Sequence, residues 1–132
     1  MEEVSPNIFM ITEYGALGAV MPPVNIYVLA GPDGLIFDSG YARKGILSHL
    51  SKEIRRTEDL VRGRGEVFRL TQGLPSHSHP DHASGLRYLK KKFGVKIVLT
   101  EKMLANLNSR QTYYRGSMSK QYSTGFVKNT VA

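Results

Sequence analysis

The sequence predicts an α/β chain, of the α+β kind, in which strands and amphipathic helices share one domain. Three observations lead there. A Gly31-Pro-Asp-Gly34 turn separates two apolar strand-like runs, apolar residues then recur at helical spacing in two later segments, and a further apolar run, Val95 to Leu99, follows the second of these. At 132 residues the chain suits one domain able to bury a real core.

Taken in order, a first strand comes before Gly15-Ala-Leu-Gly-Ala-Val-Met-Pro-Pro23, which reads as a flexible loop leading to the hairpin. The runs Asn25-Ile-Tyr-Val-Leu-Ala and Leu35-Ile-Phe-Asp38-Ser-Gly40 flank the turn. A helix spans Ala42 to Arg56, with Ile46, Leu47, Leu50 and Ile54 as its apolar stripe and His49 beside that stripe in a structural or solvated role. A strand then leads into the loop Ser76-His-Ser-His-Pro-Asp-His-Ala-Ser-Gly85. The next helix runs from about Ala83 to Phe93, with Leu86, Leu89 and Phe93 on one face; the strand Val95 to Leu99 and a short helix from Glu101 to Leu107 complete the pattern.

The loop carries the chemistry. Three of the four histidines, His77, His79 and His82, fall within six residues, with Asp81 between the last two. Imidazole nitrogen and carboxylate oxygen are the donors of catalytically open zinc sites, and the absence of cysteine excludes a thiolate-rich structural site. In an extended segment side chains two apart point the same way, so His77 and His79 converge while Ser78 points elsewhere. Pro80 fixes its own φ and pushes His79 toward extended backbone, stiffening the loop before any metal arrives. Asp81 and His82 sit where the chain turns into the helix, placed to meet a second ion. Asp81 equally suits the N-cap of that helix, a purely structural role.

His77-Ser-His79-Pro-Asp81-His82 resembles the HxHxDH signature of the metallo-β-lactamase fold hydrolases, and Gly85 matches a glycine that commonly follows it. Asn25 to Gly40 resembles that family's early hairpin, which ends in an aspartate, a small hydroxyl residue and a glycine near the metals. The resemblance covers roughly residues 8 to 107. It implies the N-terminal half of an αββα metallo-β-lactamase-type sandwich, in which His77 and His79 hold one metal and Asp81 and His82 a second. Asp38 would support the site without ligating. Zinc is the usual ion, with two in a complete site, although iron or manganese can take the same donors. The implied activity is hydrolysis of an ester, thioester, lactone or phosphodiester by metal-activated water, which Asp81 also orients as a catalytic residue. The loop from Gly15 to Pro23 would either cover the metals or serve as a plain connection.

The chain departs from the family pattern after the loop. Members complete the site with later histidines and a bridging aspartate, yet no histidine follows His82, no aspartate follows Asp81, and Glu101 is the single later carboxylate. Residues 1–107 therefore read as the N-terminal portion of such a domain. Residues 108–132, polar, basic and without apolar period, read as a linker or the start of a truncated second half. The alternative function is that of a truncated, catalytically inactive metal-binding fragment with nonspecific nucleic-acid affinity.

Charge is segregated along the chain. Residues 1–42 hold no lysine or arginine, so all 18 basic residues lie in the remainder, against six acidic ones. That balance favours an anionic small-molecule substrate. The densest runs are Arg62-Gly-Arg64 and Arg87 with Lys90, Lys91, Lys92 and Lys96, where a solvated helix face is the default reading. Tyr113, Tyr114 and Tyr122 alternate with Arg110, Arg115 and Lys120 in the tail, a composition suited to stacking on single-stranded nucleic acid. No apolar run has the length of a membrane span and no signal segment is evident, which points to a cytoplasmic protein. An open half-sandwich exposes apolar sheet surface, and self-association is the expected consequence.

Overall fold

The computed structural model describes residues 1–14 and 22–108. Six strands form one mixed sheet in chain order: β1 Glu2–Ser5, β2 Ile8–Glu13, β3 Val24–Leu29, β4 Gly34–Phe37, β5 Leu70–Leu74 and β6 Lys96–Ile97. β1 to β4 are antiparallel neighbours, whereas β4, β5 and β6 run parallel. Parallel neighbours need a crossover. α1 Lys44–Gly63 supplies the first, and α2 Pro80–Ala83 with α3 Leu86–Phe93 supplies the second; α4 Glu101–Asn108 follows β6.

Period-two alternation puts Phe9 and Ile11 of β2 and Val24, Ile26 and Val28 of β3 on one face, in register as Phe9 with Val28 and Ile11 with Ile26. Leu50, Ile54 and Val61 of α1 and Leu86 and Leu89 of α3 join these strand residues in one buried core. The buried Glu53 of α1 is accounted for by ion pairs with the Met1 ammonium and, at 2.9 Å, with Arg56. The opposite sheet face stays half-buried at Met10, Tyr27, Phe37 and Leu74, and Leu29 is 39% exposed.

Several element boundaries differ from the sequence expectation. α1 runs to Gly63 rather than Arg56, because Thr57 and Val61 continue the buried stripe; the Thr57 hydroxyl, bonded to the Glu53 carbonyl at 2.9 Å, is buried at no polar cost. The single helix expected from Ala83 to Phe93 is split into α2 and α3. Asp81 is not the N-cap of either: Pro80 takes the first helical position, His79 is the cap, and Gly85 caps α3. The strand expected over Val95 to Leu99 contracts to Lys96–Ile97, which pairs only with Gln72 and Gly73 before β5 turns into the histidine loop. β1 was not anticipated; Asn7, at φ +60°, makes the turn into β2. The loop from Gly15 to Pro23, but for its last two residues, and the tail with its tyrosines lie outside the described residues.

Candidate metal centre

Parallel pairing of β4 with β5 brings their C-terminal ends to one sheet edge, so the Asp38-Ser39-Gly40 turn meets the histidine loop. The Asp38 amide donates to the Leu74 carbonyl at 2.9 Å. Asp38 itself has φ +70°, in the left-handed region that aspartate tolerates better than most side chains. The turn thereby aims a buried carboxylate at the loop.

His77, Asp81 and His82 converge, each offering one donor atom, with all three donors within 4.8 Å of one another. The His77 and His82 ring centroids are 4.1 Å apart, and Asp81 Oδ2 lies 3.5 Å from His82 Nε2. His79 stands outside that trio: its exposed ring is edge-on to His77 at 4.7 Å. Its backbone is extended, at φ −64° and ψ 146°, as the following proline dictates. Ser78 is buried between the half-buried His77 and the exposed His79, in keeping with alternate side chains facing opposite ways. His49 is exposed on α1 and Glu101 is exposed at the start of α4; neither belongs to the converging group.

The hydrogen bonds assign the histidine tautomers. Asp38 accepts from the Ser76 amide at 2.6 Å, from the Ser76 hydroxyl at 2.9 Å and from His82 Nδ1 at 2.9 Å. A carboxylate can only accept, so His82 carries a proton on Nδ1, which leaves Nε2, the nitrogen facing Asp81, as the one a metal could take. Ser76 has one hydroxyl proton. With that proton on Asp38, its oxygen accepts from His77 Nδ1 at 2.8 Å, which leaves His77 Nε2 as a lone pair. Ser76 is thus a functional residue that sequence reasoning missed; its one signal was a hydroxyl immediately before the first histidine.

The backbone around this network is tightly packed. The Ser39 amide and hydroxyl both donate to the His82 carbonyl, at 2.9 and 3.1 Å, fixing the start of the 82–85 turn. A Cβ at Gly85 would lie 2.3 Å from the Ser39 carbonyl oxygen, so only glycine permits this approach. The Gly85 amide donates to the Gly40 carbonyl at 3.1 Å, and the Ala42 amide to Ser84 Oγ at 2.8 Å.

Burial, reinforced by the neighbouring His82 and His79 imidazoles, lowers the pKa of His77 below its ordinary 6.5. It is therefore neutral, and able to ligate, at neutral pH. A second missed residue, Glu13, ends β2 beneath the Gly40 turn. Its Oε2 accepts the Tyr41 amide at 3.3 Å, its Oε1 is buried without a partner, and burial raises its pKa above the ordinary carboxylate value. Period-two spacing from Phe9 and Ile11 was the signal that Glu13 points inward.

Two imidazoles with Nδ1 already committed, and one carboxylate, all facing a common point, form a donor set that fits a divalent cation of the zinc type. The family profile described as the metallo-beta-lactamase superfamily matches residues 21–115. The chain belongs to the metallo-beta-lactamase superfamily. It is 22% identical over 130 residues to a metallo-beta-lactamase type 2 from Elizabethkingia meningoseptica, covering 95% of this chain and 48% of that protein. A beta-lactamase domain protein from Burkholderia ambifaria shares the fold at TM-score 0.62 and 18% identity, over 83% of this chain and 33% of the other. A metallo-beta-lactamase from Erythrobacter litoralis does so at TM-score 0.61 and 13% identity, over 84% and 44%. This superfamily member therefore spans about half the length of the curated relative, and its mixed sheet with flanking helices is part of the full metallo-beta-lactamase fold. No helix among the described residues is long and apolar enough to cross a membrane.

Proposed function

We propose that this chain carries the metal loop of a metal-dependent hydrolase acting on an ester, thioester, lactone or phosphodiester of a small molecule, with the basic balance favouring an anionic one. The observation that carries this reading is the convergence of His77, Asp81 and His82 with the two imidazole tautomers set by Asp38 and Ser76. The family resemblance divides these donors between two ions, His77 with His79 and Asp81 with His82, whereas the described geometry gathers His77 with Asp81 and His82 and leaves His79 beside them; zinc suits these donors, and iron or manganese can share them. A bound ion of this kind lowers the pKa of water from about 15.7 to about 7 and polarises the scissile carbonyl or phosphoryl group. The chain's own residues do the rest. Asp38 orients His82, Ser76 orients His77, and Asp81, a quarter exposed, reaches solvent with a carboxylate oxygen able to hold a water proton. A cytoplasmic location is compatible with the lack of cysteine.

A second reading rests on the described residues gathering three donors, His77, Asp81 and His82, at one point: these residues bind one metal without turnover. Elemental analysis of purified protein, with and without His79→Ala, separates the two. Two ions per chain, falling on substitution, together with esterase or phosphodiesterase turnover, support the hydrolase; one ion without turnover supports the second reading. No metal at all would refute both.

A further inference from the structure

The outer seam between α1 and α3 gathers positive charge from both helices, with α3 contributing no acidic residue and Glu58 of α1 lying at its far end beside Phe93. Arg87 and Lys91, one helical turn apart, line a groove of about 300 Å³ whose other walls include Ala42, Leu47, Ser84 and Tyr88. Further along, Lys92 Nζ lies 5.5 Å from the Tyr88 ring centroid, and the Arg55 guanidinium lies 5.6 Å from that of Phe93. Tyr88 and Ser51 share a 2.7 Å hydrogen bond that ties the two helices together beneath these cations. No acidic residue occurs between Ala83 and Thr100, and among the described residues Arg55, Lys91 and Lys92 form no salt bridge. Resting long side chains on aromatic rings orders them in advance, which reduces the entropy lost when an anion binds. From Leu47 to Arg55 the seam is about 12 Å long at helical rise.

We infer that this seam binds the phosphodiester backbone of a single-stranded nucleic acid, with Arg87 and Lys91 meeting one phosphate in the groove and Lys92 and Arg55 meeting those beyond it. A groove between two packed helices admits one backbone. A lipid surface fits less well, because the large exposed apolar side chains among the described residues are Val4, Tyr14, Leu29, Leu60 and Val67, none of which lines the groove. The inference is independent of the metal chemistry, since none of these cations belongs to the converging donor group.

The test is fluorescence anisotropy of the full chain with a labelled oligothymidylate, in parallel with the same strand as duplex and with anionic vesicles. Three phosphate contacts at a slope of about −0.7 each predict a fall in affinity of about 20-fold between 50 and 200 mM salt. Lys91→Glu with Lys92→Glu, and separately Arg55→Glu, should weaken binding at least about tenfold and flatten the salt dependence. Metal content and melting temperature should not change. A variant with Arg110, Arg115 and Lys120 all changed to Ala controls for the tail. Four results would overturn the proposal: no binding at 50 mM salt, affinity unmoved by the seam variants, loss only in the tail variant, or tighter binding to duplex or vesicles than to the single strand.

Discussion

Asp38→Asn tests whether charge, rather than shape, organises the metal loop. Asparagine tolerates the φ of +70° about as well as aspartate, so the turn survives and only one acceptor is lost. With the amide oxygen kept toward the Ser76 N–H, the new NH2 group faces both His82 Nδ1 and the Ser76 hydroxyl, which the carboxylate had accepted at 2.9 Å each. A donor now meets two donors. His82 relieves its clash by moving its proton to Nε2, the nitrogen 3.5 Å from Asp81 Oδ2 that would otherwise ligate. Hydrogen bonds to a charged group contribute about 1.5–3 kcal/mol each, and partial re-pairing leaves a net destabilisation of about 2 kcal/mol. Loss of such an outer partner lowers metal affinity roughly 10- to 100-fold, equivalent to about 1.4–2.7 kcal/mol. Urea unfolding of the metal-free chain measures the first effect, chelator competition the second, and ¹⁵N shifts of the His82 ring report the tautomer. Unchanged affinity with the proton still on Nδ1 would refute the reasoning.

Glu13→Gln should stabilise the metal-free chain at neutral pH. Burial raises the folded pKa of Glu13, so the stability it lends is complete below the ordinary value of 4.5 and is lost as pH rises through the folded pKa; glutamine mimics the neutral form and escapes that loss. Thermal melts at pH 4 and pH 7 check this, and an equal effect at both would contradict it. Gly85→Ala forces a Cβ to 2.3 Å from the Ser39 carbonyl, at a cost of about 3 kcal/mol and a melting-temperature drop on the order of 10–20 °C. An unaltered melt would mean the 39–85 contact yields freely. The half-buried sheet face with Leu29 39% exposed should drive self-association, so sedimentation that shows a monodisperse monomer would count against that expectation.

Much of the fold was readable because it rests on local periodicity. The stripe from Ile46 to Ile54 and the strand alternation around Tyr27 report their elements without knowledge of any partner. Where the expectation failed, the deciding contact was distant in sequence or masked by polarity. α1 outran its expected end because Thr57 hides its hydroxyl against the preceding turn and so reads as core while spelling as polar. The last strand shortened because only Gln72 and Gly73 of β5 pair with it, whatever the length of its own apolar run. Pro80 moved the helix start one residue before Asp81, which turns an expected cap into a first-turn carboxylate beside the loop.

The same division separates the donors from what aims them. Spacing confined the donors to six residues and paired His77 with His79, whereas the structure gathers His77 with Asp81 and His82. Asp38 lies 44 positions from His82 and Ser76 lies 38 from Asp38, and their effect on the tautomers needs all three groups at hydrogen-bonding distance at once. No periodicity encodes such a relation; resemblance alone pointed to Asp38, and only its place before the first histidine pointed to Ser76. What brings them together is the parallel register of Phe37 with Leu74, which sets the two loops side by side at one sheet edge. Ligand chemistry in this chain is written in a short motif, while ligand geometry is a property of the sheet. A core substitution that shifts the β4–β5 register should therefore disturb metal affinity while every ligand remains in place.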